Sequence, residues 1–388
     1  MSISIDKILK QALEYHKTGN LDEAKKLYKI IIEINPTNAL VHNNLGSIYE
    51  LSDEFDLAVK YYKNAILNNK DYALAFNNLG AVYQKVKNYE EAKSSYNKAL
   101  KLKPNLKSSL LGLGQIYVFE KDYKKALKYF DECNNELSRS RSLVCLYHLK
   151  RNEEIYERIR ANIKIDRLNL RVAAFSSFLE SQQNKDTVNN FCKRPLEFIY
   201  YSNLSKHISD LNLFIKNIIK ELDGIETIWE PSTKTTKKGF QSKYNLFNSK
   251  LDLINKLKSI ILTEIDQYYF KYKNEDALFI KEWPKVKNLI GWHVVLKQQG
   301  YQDSHNHPGG WLSGVIYLKV IAHDNNNSGA IEFSLNGENF FNKNSPSRIY
   351  KPVLGDLILF PSSLYHRTIP FSLDTDRIII SFDLLPNI

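Results

Sequence analysis

Two histidines in the last quarter of the chain have a spacing that suits metal binding. His305 and His307 are separated by one residue and precede the apolar segment 311–319. Side chains at positions i and i+2 of an extended chain share a face, so both imidazoles can point at one spot. Counting by twos from Trp311 and Tyr317 places them on the same face, if the intervening Pro-Gly-Gly does not change the register. The pattern predicts a metal site.

A third histidine and an arginine follow on further predicted strands. The apolar segment 355–361 ends in a Pro-Ser-Ser turn that leads to His366, and the segment 377–382 begins with Arg377. Two histidines that leave coordination positions open are typical of a non-haem iron site. We therefore predict that His305 and His366 bind iron.

The order His-x-His, distal His and Arg resembles the Fe(II)/2-oxoglutarate-dependent oxygenases, whose double-stranded β-helix carries His-x-Asp/Glu, a distal His and a following Arg or Lys. The segments GYQDSHNHPGGWLSGVIYLK, GDLILFPSSLYHRTIPF and RIIISFDL are similar to the 2-oxoglutarate oxygenases of bacteria and phages, in which a His-x-His pair precedes Trp-Leu-Ser-Gly-Val. The resemblance implies Fe(II), 2-oxoglutarate as cosubstrate, and O2. It also implies the chemistry, in which 2-oxoglutarate is decarboxylated to succinate while a substrate C–H bond is hydroxylated.

One position departs from the common family pattern. Asn306-His307 leaves no acidic residue where the family has its carboxylate ligand. We predict His307 as the third ligand, because three imidazoles can also bind Fe(II). The alternatives are a metal held by two protein ligands and water, or Asp303 as a substitute carboxylate. Core packing explains His293, and a surface position explains His323.

The resemblance also suggests a site for the cosubstrate. Arg377 would bind the distal carboxylate of 2-oxoglutarate in a bidentate salt bridge. Ser381 shares the strand face of Arg377 and could donate its hydroxyl to the same carboxylate. Tyr317 matches a tyrosine that contacts the cosubstrate in prolyl-hydroxylase-like members. The alternatives are an ion pair of Arg377 with Asp374 or Asp376 at the rim, and ordinary packing for the other two.

Supporting elements are expected ahead of the predicted strands. The apolar periodicity of residues 204–221 and 251–272 predicts two helices. The segment 229–247 between them is rich in threonine and also contains glycine and proline. We predict that it forms a long loop.

The first third of the chain repeats with a period of 34 residues. Alanine occupies positions 24, 58, 92 and 126, an aromatic residue occupies positions 28, 62, 96 and 130, and Leu-Gly pairs occupy positions 45–46, 79–80 and 113–114. Small residues let paired helices approach, and the aromatic rings fill the space between them. The pattern resembles the tetratricopeptide repeat, a helix-turn-helix unit. It predicts an α-solenoid.

Two asparagines hold equivalent positions in this repeat. Asn44 and Asn78 each precede a Leu-Gly pair, where the first helix of the repeat lines the concave groove. An amide offers both a donor and an acceptor, so such residues can bind the backbone of an extended peptide. The alternative is hydrogen bonding between repeats. A protein or peptide is the predicted partner of the groove.

The bulk composition limits the class of protein. A chain of 388 residues that is 43% hydrophobic can bury packed cores. The net charge is +11, but lysines alternate with acids instead of forming a basic stripe, which argues against nucleic acid. The start lacks the design of a signal peptide, and the apolar runs are too short to span a membrane. Three widely spaced cysteines cannot form a disulfide framework. We expect a soluble cytoplasmic protein.

Together these patterns predict a multidomain α + β chain. Residues 1–137 form tetratricopeptide repeats, residues 138–188 form capping helices and a connector, and residues 189–388 form a double-stranded β-helix (jelly-roll) domain with supporting helices. The predicted function is a dioxygenase that uses Fe(II) and 2-oxoglutarate and hydroxylates a protein or peptide recruited by the repeat groove. The alternatives are a non-catalytic scaffold with an idle jelly roll, and a three-histidine metal dioxygenase that does not use 2-oxoglutarate.

Overall fold

The computed structural model describes residues 4–232, 234–321 and 327–387, so His323 lies outside the described residues. The chain divides into two compact units, Met1–Arg151 and Asn152–Ile388. Helices make up the first unit, and antiparallel sheets with accompanying helices make up the second. The predicted order of an α-solenoid followed by a β domain with supporting helices is confirmed. The finer domain limits given above stay predictions.

The first unit consists of successive helix pairs. Its helices are α1 Ile5–Lys17, α2 Leu21–Ile34, α3 Ala39–Leu51, α4 Phe55–Asn68, α5 Ala73–Lys85, α6 Tyr89–Leu102, α7 Lys107–Phe119, α8 Tyr123–Cys133 and α9 Glu136–His148. Helices α2 and α6 end two residues before Pro36 and Pro104, because a proline disfavours helical geometry in the residue that precedes it. In these two repeats the second helix thereby ends just ahead of the proline.

The glycines of the Leu-Gly pairs receive aromatic rings from the helix that follows. A Cβ atom on Gly46 would lie 2.7 Å from the ring of Tyr62, and one on Gly80 would lie 2.8 Å from the ring of Tyr96. Both tyrosines are buried. The periodic glycine and the periodic aromatic residue are therefore two sides of one contact, which lets the paired helices pack closely.

The turn inside each repeat shares one backbone conformation. Gly19, Asp53, Lys87 and Lys121 follow the first helix of successive repeats and have φ angles of 80°, 58°, 60° and 59°. Such angles are left-handed, and they cost little free energy for glycine but more for other residues. Only the first of these four turns has the residue type that this geometry favours.

The second unit contains helices α10 Asn152–Asn162, α11 Leu170–Gln183, α12 Leu211–Leu222, α13 Asp252–Tyr272 and α14 Leu278–Lys281. Its strands are β1 Tyr200–Asn203, β2 Thr227–Trp229, β3 Thr236–Ser242, β4 Leu289–Gln302, β5 Leu312–Lys319, β6 Ile331–Ser334, β7 Ser347–Tyr350, β8 Asp356–Pro361, β9 Tyr365–Thr368 and β10 Arg377–Leu384. Among the described residues of the whole chain, none of the helices is both long and apolar enough to cross a membrane.

The strands form two antiparallel sheets. The larger sheet has the order β1-β8-β5-β10-β4-β3-β2, and the smaller has the order β7-β6-β9. One face of the larger sheet forms the core of the unit, where Ile316 and Ile380 share a buried cluster with Ile218 of α12 and Ile261 of α13. Because side chains alternate along a strand, the opposite face of β5 and β10 is free to carry polar residues.

Two predictions about the supporting elements were wrong in part. The predicted helix 204–221 begins only at Leu211, because the side chain of Asp210 accepts a hydrogen bond from the Leu213 amide at 3.0 Å and caps the helix there. The segment 229–247 is not a simple loop, because β2 and β3 pair as a hairpin on the edge of the larger sheet. The second predicted helix matches α13.

A bulge bends the pairing of β3 with β4. Lys237 pairs with Tyr301 and Gly239 pairs with Leu296, so residues 297–300 lie opposite Lys238 alone. Lys238 has a φ angle of 47°. Bulges increase the local twist of a sheet and often occur next to active sites. Beyond the bulge at Lys238, β4 leads into the segment that carries His305 and His307.

Candidate metal and cosubstrate site

His305 and His366 face each other across a short antiparallel bridge. The His305 amide donates to the His366 carbonyl at 3.0 Å, and the His366 amide donates to the His305 carbonyl at 2.9 Å. Their ring centroids lie 4.3 Å apart. Residues paired in this way place their side chains on the same side of the ladder. The bridge therefore presents both imidazoles to one point.

His307 completes a group of three. Its ring centroid lies 5.1 Å from the centroids of both His305 and His366. One ligand atom from each residue lies within 4.8 Å of the others, which is close enough to hold one metal ion. The three predicted ligands therefore converge. The exposed side chain of Asp303, the proposed substitute carboxylate, is not a member of this group.

Hydrogen bonds orient the first two imidazoles. The Nδ1 atom of His305 lies 2.7 Å from the carbonyl oxygen of Asp303, and that of His366 lies 3.3 Å from the carbonyl oxygen of Leu364. A carbonyl only accepts, so both Nδ1 atoms carry the proton and both Nε2 atoms keep a free lone pair. Metal-bound histidines are typically held by such a contact of the second ring nitrogen.

The third imidazole is oriented by a carboxylate. Nδ1 of His307 lies 2.7 Å from Oδ1 of Asp383, which also accepts a hydrogen bond from the Ser313 hydroxyl at 2.6 Å. Asp383 is a buried residue of β10. The acid that is missing from the His-x-His motif is thus present nearby, behind the imidazole.

Burial keeps two of the histidines neutral. The surrounding protein, and secondarily the neighbouring His307, lower the pKa of His305 to about 3. Burial likewise lowers the pKa of His366 well below its ordinary value. Neutral imidazole is the form that coordinates a metal. Both groups are therefore in the ligand form at neutral pH.

Arg377 is a buried cation for which the described part of the chain offers no acidic partner. Its side chain is 1% exposed, and its Nε and Nη1 atoms have no hydrogen-bond partner in the part of the chain that the structure describes. The alternative of a rim ion pair is not observed there, since Asp376 pairs with Lys297 at 2.9 Å. An unpaired buried guanidinium costs free energy unless a ligand provides the counter-ion.

Tyr317 and Ser381 lie in the same cavity. The Arg377 guanidinium carbon is 5.0 Å from the centroid of the Tyr317 ring, a cation–π contact. The buried hydroxyl of Tyr317 has no hydrogen-bond partner among the described residues, and burial raises its pKa to about 12. It is therefore a neutral donor at physiological pH. The residues that line this cavity are Trp292, Gln302, His305, His307, Gly314, Val315, Tyr317, Ile331, Phe360, His366, Thr368, Arg377, Ile379 and Ser381.

Two other aromatic residues lie away from the cavity. Trp311 does not share the face of Tyr317, because its ring belongs to the buried core cluster together with Leu312 and Ile316. Its indole instead donates to the carbonyl oxygen of Phe279 at 3.0 Å. His293 is buried on β4, and burial lowers its pKa to about 4. Core packing accounts for both.

The sequence analysis missed residues that contribute to the site. Asp383 could have been found, because counting by twos from Arg377 through Ser381 reaches it on the same strand face. Trp292 pairs with Ser381 across β4 and β10, and its ring lies 5.6 Å from that of His307. No sequence signal marked this tryptophan, since its position depends on the pairing of distant strands.

The asparagines of the repeats lie in a ladder of hydrogen bonds. The Asn78 amide donates to Asn43 at 3.1 Å, the Asn77 amide donates to Asn78 at 3.1 Å, and the Asn44 amide donates to Tyr28 at 3.2 Å. This is the inter-repeat bonding that was the alternative interpretation. Asn44 and Asn78 are only half-buried, so their role in binding a peptide stays a prediction.

Comparisons with known proteins agree with this division. Residues 291–383 match the family model described as "Putative 2OG-Fe(II) oxygenase". Tetratricopeptide-repeat models match residues 12–53, 39–72, 73–106 and 108–135. No curated protein matches the chain.

Several solved structures are similar to part of the chain. A crystal structure of MamA is 27% identical over 34% of this chain and 76% of its own, with a TM-score of 0.32. YrrB, described as a TPR protein with an unusual peptide-binding site, is 17% identical over 42% of this chain and 86% of its own, with a TM-score of 0.36. The first TPR of Spaghetti (RPAP3), bound to an HSP90 peptide, is 28% identical over 27% of this chain and 83% of its own, with a TM-score of 0.27. The N-terminal part of the chain thus carries tetratricopeptide repeats, and residues 291–383 form a region similar to the family described as "Putative 2OG-Fe(II) oxygenase".

Proposed function

We propose that the protein is an Fe(II)- and 2-oxoglutarate-dependent dioxygenase that hydroxylates a protein or peptide. One observation carries the proposal: a buried arginine with no acidic partner among the described residues lines the same cavity as three converging imidazoles. The imidazoles suit Fe(II), and the arginine suits a carboxylate. The two antiparallel sheets would then be the double-stranded β-helix that the family resemblance implies.

The histidines would hold the metal. His305 and His366 offer Nε2 atoms across the antiparallel bridge, and His307 offers a third from the loop that precedes β5. Three protein ligands leave coordination positions for the keto-acid end of 2-oxoglutarate and for O2. When bound, Fe(II) and 2-oxoglutarate supply the oxidising chemistry, in which decarboxylation to succinate accompanies hydroxylation of a substrate C–H bond.

Arg377 would bind the distal carboxylate of the cosubstrate. Its unpaired nitrogens can form the two parallel N–H···O bonds that a planar guanidinium makes with a carboxylate. The Tyr317 hydroxyl, which also lacks a partner among the described residues, and the Ser381 hydroxyl can donate to the same anion. A carboxylate bound there would compensate the burial of all three polar groups.

The repeats would recruit the polypeptide substrate. Tetratricopeptide repeats stack into a solenoid with a concave surface, and Asn44 and Asn78 are only half-buried. Binding one part of a substrate raises the local concentration of the rest to about the millimolar range when the connection is short and flexible. The repeats would therefore raise the efficiency of hydroxylation without taking part in the chemistry.

The enzymatic proposal is tested by the conversion of 2-oxoglutarate to succinate. The full chain should form succinate only when both O2 and Fe(II) are present, and His366→Ala should not. Iron-dependent O2 consumption without any use of 2-oxoglutarate would instead support the three-histidine dioxygenase. Binding of neither Fe(II) nor 2-oxoglutarate would leave the idle-scaffold alternative.

The role of the repeats is tested with the second compact unit alone. Once a hydroxylated polypeptide has been identified by mass spectrometry, residues 152–388 should retain uncoupled succinate formation but hydroxylate that substrate less efficiently than the full chain. Asn44→Ala combined with Asn78→Ala should reproduce part of the loss, whereas Asn68→Ala, an exposed change outside the ladder, should not. Equal efficiency of the truncated and full chains would refute recruitment by the repeats.

A further inference from the structure

The carboxylate behind His307 has a more specific role than ordinary packing. Asp383 is 5% exposed, and its Oδ1 atom accepts hydrogen bonds from His307 Nδ1 at 2.7 Å and from the Ser313 hydroxyl at 2.6 Å. Resting on the function proposed above, we propose that Asp383 is a positioning residue that makes His307 the third metal ligand. It would also supply the negative charge that a directly bound carboxylate supplies in the common site.

A small network fixes the position of Asp383. The Ser313 hydroxyl lies 2.8 Å from the Ser362 hydroxyl, and the Ser362 carbonyl accepts a hydrogen bond from the His307 amide at 2.9 Å. The backbone and the imidazole of His307 are therefore held by one group of connected residues. A ring held at both points cannot swing away from the metal position without breaking a buried hydrogen bond.

Gly310 makes room for this network. A Cβ atom on this residue would lie 2.7 Å from the Ser362 hydroxyl oxygen and 3.0 Å from the carboxyl carbon of Asp383. The second glycine of the Pro-Gly-Gly turn is thus required by the approach of the serine and the carboxylate. The turn sequence and the acid on β10, which are distant in the chain, form one structural unit around His307.

Strand β10 carries Asp383 together with Arg377 and Ser381, the residues proposed to bind 2-oxoglutarate. Arg377, Ser381 and Asp383 lie on one face of the strand, and Asp383 is the register partner of Ser313 on β5. A single strand therefore carries both the cation for the cosubstrate and the acid for the third histidine. The geometry couples the two halves of the site.

The charges explain why an acid belongs at this position. Three neutral imidazoles leave both positive charges of a divalent metal uncompensated, whereas the common two-histidine, one-carboxylate site neutralises one of them. Among the described residues, the basic group that lies within hydrogen-bond distance of Asp383 is the His307 imidazole. A carboxylate bonded to the far nitrogen of a ligand imidazole makes that ligand more basic. Asp383 would therefore supply the missing negative charge through His307, without itself binding the metal.

The proposal is tested by metal binding to the full chain without any substrate. Asp383→Asn keeps nearly the same shape but removes the charge. We expect it to weaken Co(II) and anaerobic Fe(II) binding about 10- to 100-fold and to change the visible absorption of the Co(II) site. Ser313→Ala, which removes one of the hydrogen bonds to Asp383, should show a smaller loss. Asp276→Asn is the matched control, because this exposed aspartate pairs with Lys281 outside the cavity, and the variant should bind Co(II) as the wild type does.

Each outcome decides between positioning and packing. Unchanged Co(II) affinity and absorption in Asp383→Asn, even with a lower unfolding temperature of the metal-free protein, would overturn the proposal. If Asp383→Ala fails to fold, Asp383→Asn and Ser313→Ala still decide it. A wild-type chain that binds no Co(II) or Fe(II) would refute the proposed function as well. Strong binding by both the wild type and Asp383→Asn would refute only the role of Asp383.

Discussion

Two groups of polar side chains, the asparagine ladder of the repeats and the cavity of the β unit, are satisfied in different ways. In the repeats, the amides of Asn43, Asn77 and Asn78 bond to one another across neighbouring helices. In the β unit, atoms of Arg377 and Tyr317 remain without partners among the described residues. A buried polar group left unpaired costs about 1–3 kcal/mol. Polar groups in the ladder are satisfied by the fold itself, whereas those in the cavity are suited to a ligand.

The two units also differ in how far apart along the sequence their contacting residues lie. The rings and glycines of the repeats meet between neighbouring helices, so each repeat can be recognised by itself. The site instead combines residues from β5, β9, β10 and the loop after β4, which meet only after the sheets have formed. Substitutions in the repeats should therefore change the stability of the fold, whereas substitutions in the site should change the binding of ligands.

The largest effect is expected from removal of a metal ligand. His366→Ala should abolish stoichiometric Fe(II) binding, and His305→Ala should nearly do so, because two imidazoles remain where three converge. Anaerobic titration followed by metal analysis measures this, with thermal unfolding of the helices as the check that the repeats are intact. His293→Gln, a histidine outside the cavity, should bind iron normally. Stoichiometric iron in His366→Ala would show that the metal lies elsewhere.

Removal of the buried cation should have the next largest effect. Arg377→Met keeps an unbranched side chain but leaves a dicarboxylate without its counter-ion, a loss of about 2–5 kcal/mol. The 2-oxoglutarate concentration needed for half-maximal succinate formation should therefore increase by a factor of between roughly 30 and a few thousand. Fe(II) affinity, measured in the same preparation, should change far less. An unchanged 2-oxoglutarate requirement would contradict the proposed role of Arg377 in binding the distal carboxylate.

A substitution in the repeats should affect stability but not the site. A Cβ atom on Gly114 would lie 2.3 Å from the buried ring of Phe130, so Gly114→Ala should lower the free energy of unfolding by about 1–3 kcal/mol through overpacking. Denaturant unfolding followed by circular dichroism measures the change. Gly224→Ala is the control, because its nearest contact would lie at 3.7 Å. Fe(II) binding should be the same in both variants.

The smallest expected effect has the opposite sign. Lys121 has a φ angle of 59° in the turn between α7 and α8, so Lys121→Gly should raise the free energy of unfolding by up to about 1 kcal/mol. The same substitution at Lys128, an exposed position inside α8, should lower it by about 1 kcal/mol. Denaturant midpoints of the two variants test the comparison. A loss of stability in both would show that the turn does not favour glycine.

Much of this architecture could be predicted from the sequence because it depends on short spacings. The repeat register follows from residues spaced by one repeat length, and the predicted ligands follow from the spacing of His305 and His307 and from the strand patterns around His366. The pairing partners could not be predicted in the same way. Asp383 shares a strand face with Arg377, but its contact with His307 depends on how β10 lies beside β5.

The errors have related causes. Counting by twos failed for Trp311, because this residue directly precedes β5 and packs its ring into the core, where its indole donates to the Phe279 carbonyl. The β2–β3 hairpin was missed because it lies at the edge of the sheet, where Thr236 and Gln241 satisfy each other in place of an apolar alternation. Both features depend on tertiary contacts that no local pattern contains.

The bridge between His305 and His366 has a further consequence for dynamics. Their amide hydrogens are the two donors of that bridge, so exchange of these hydrogens with deuterated water requires the two segments to separate. A metal bound to both side chains would oppose that separation and slow the exchange in proportion to metal affinity. The two backbone amides thus report on metal loading from inside the site, before any cosubstrate or substrate is added.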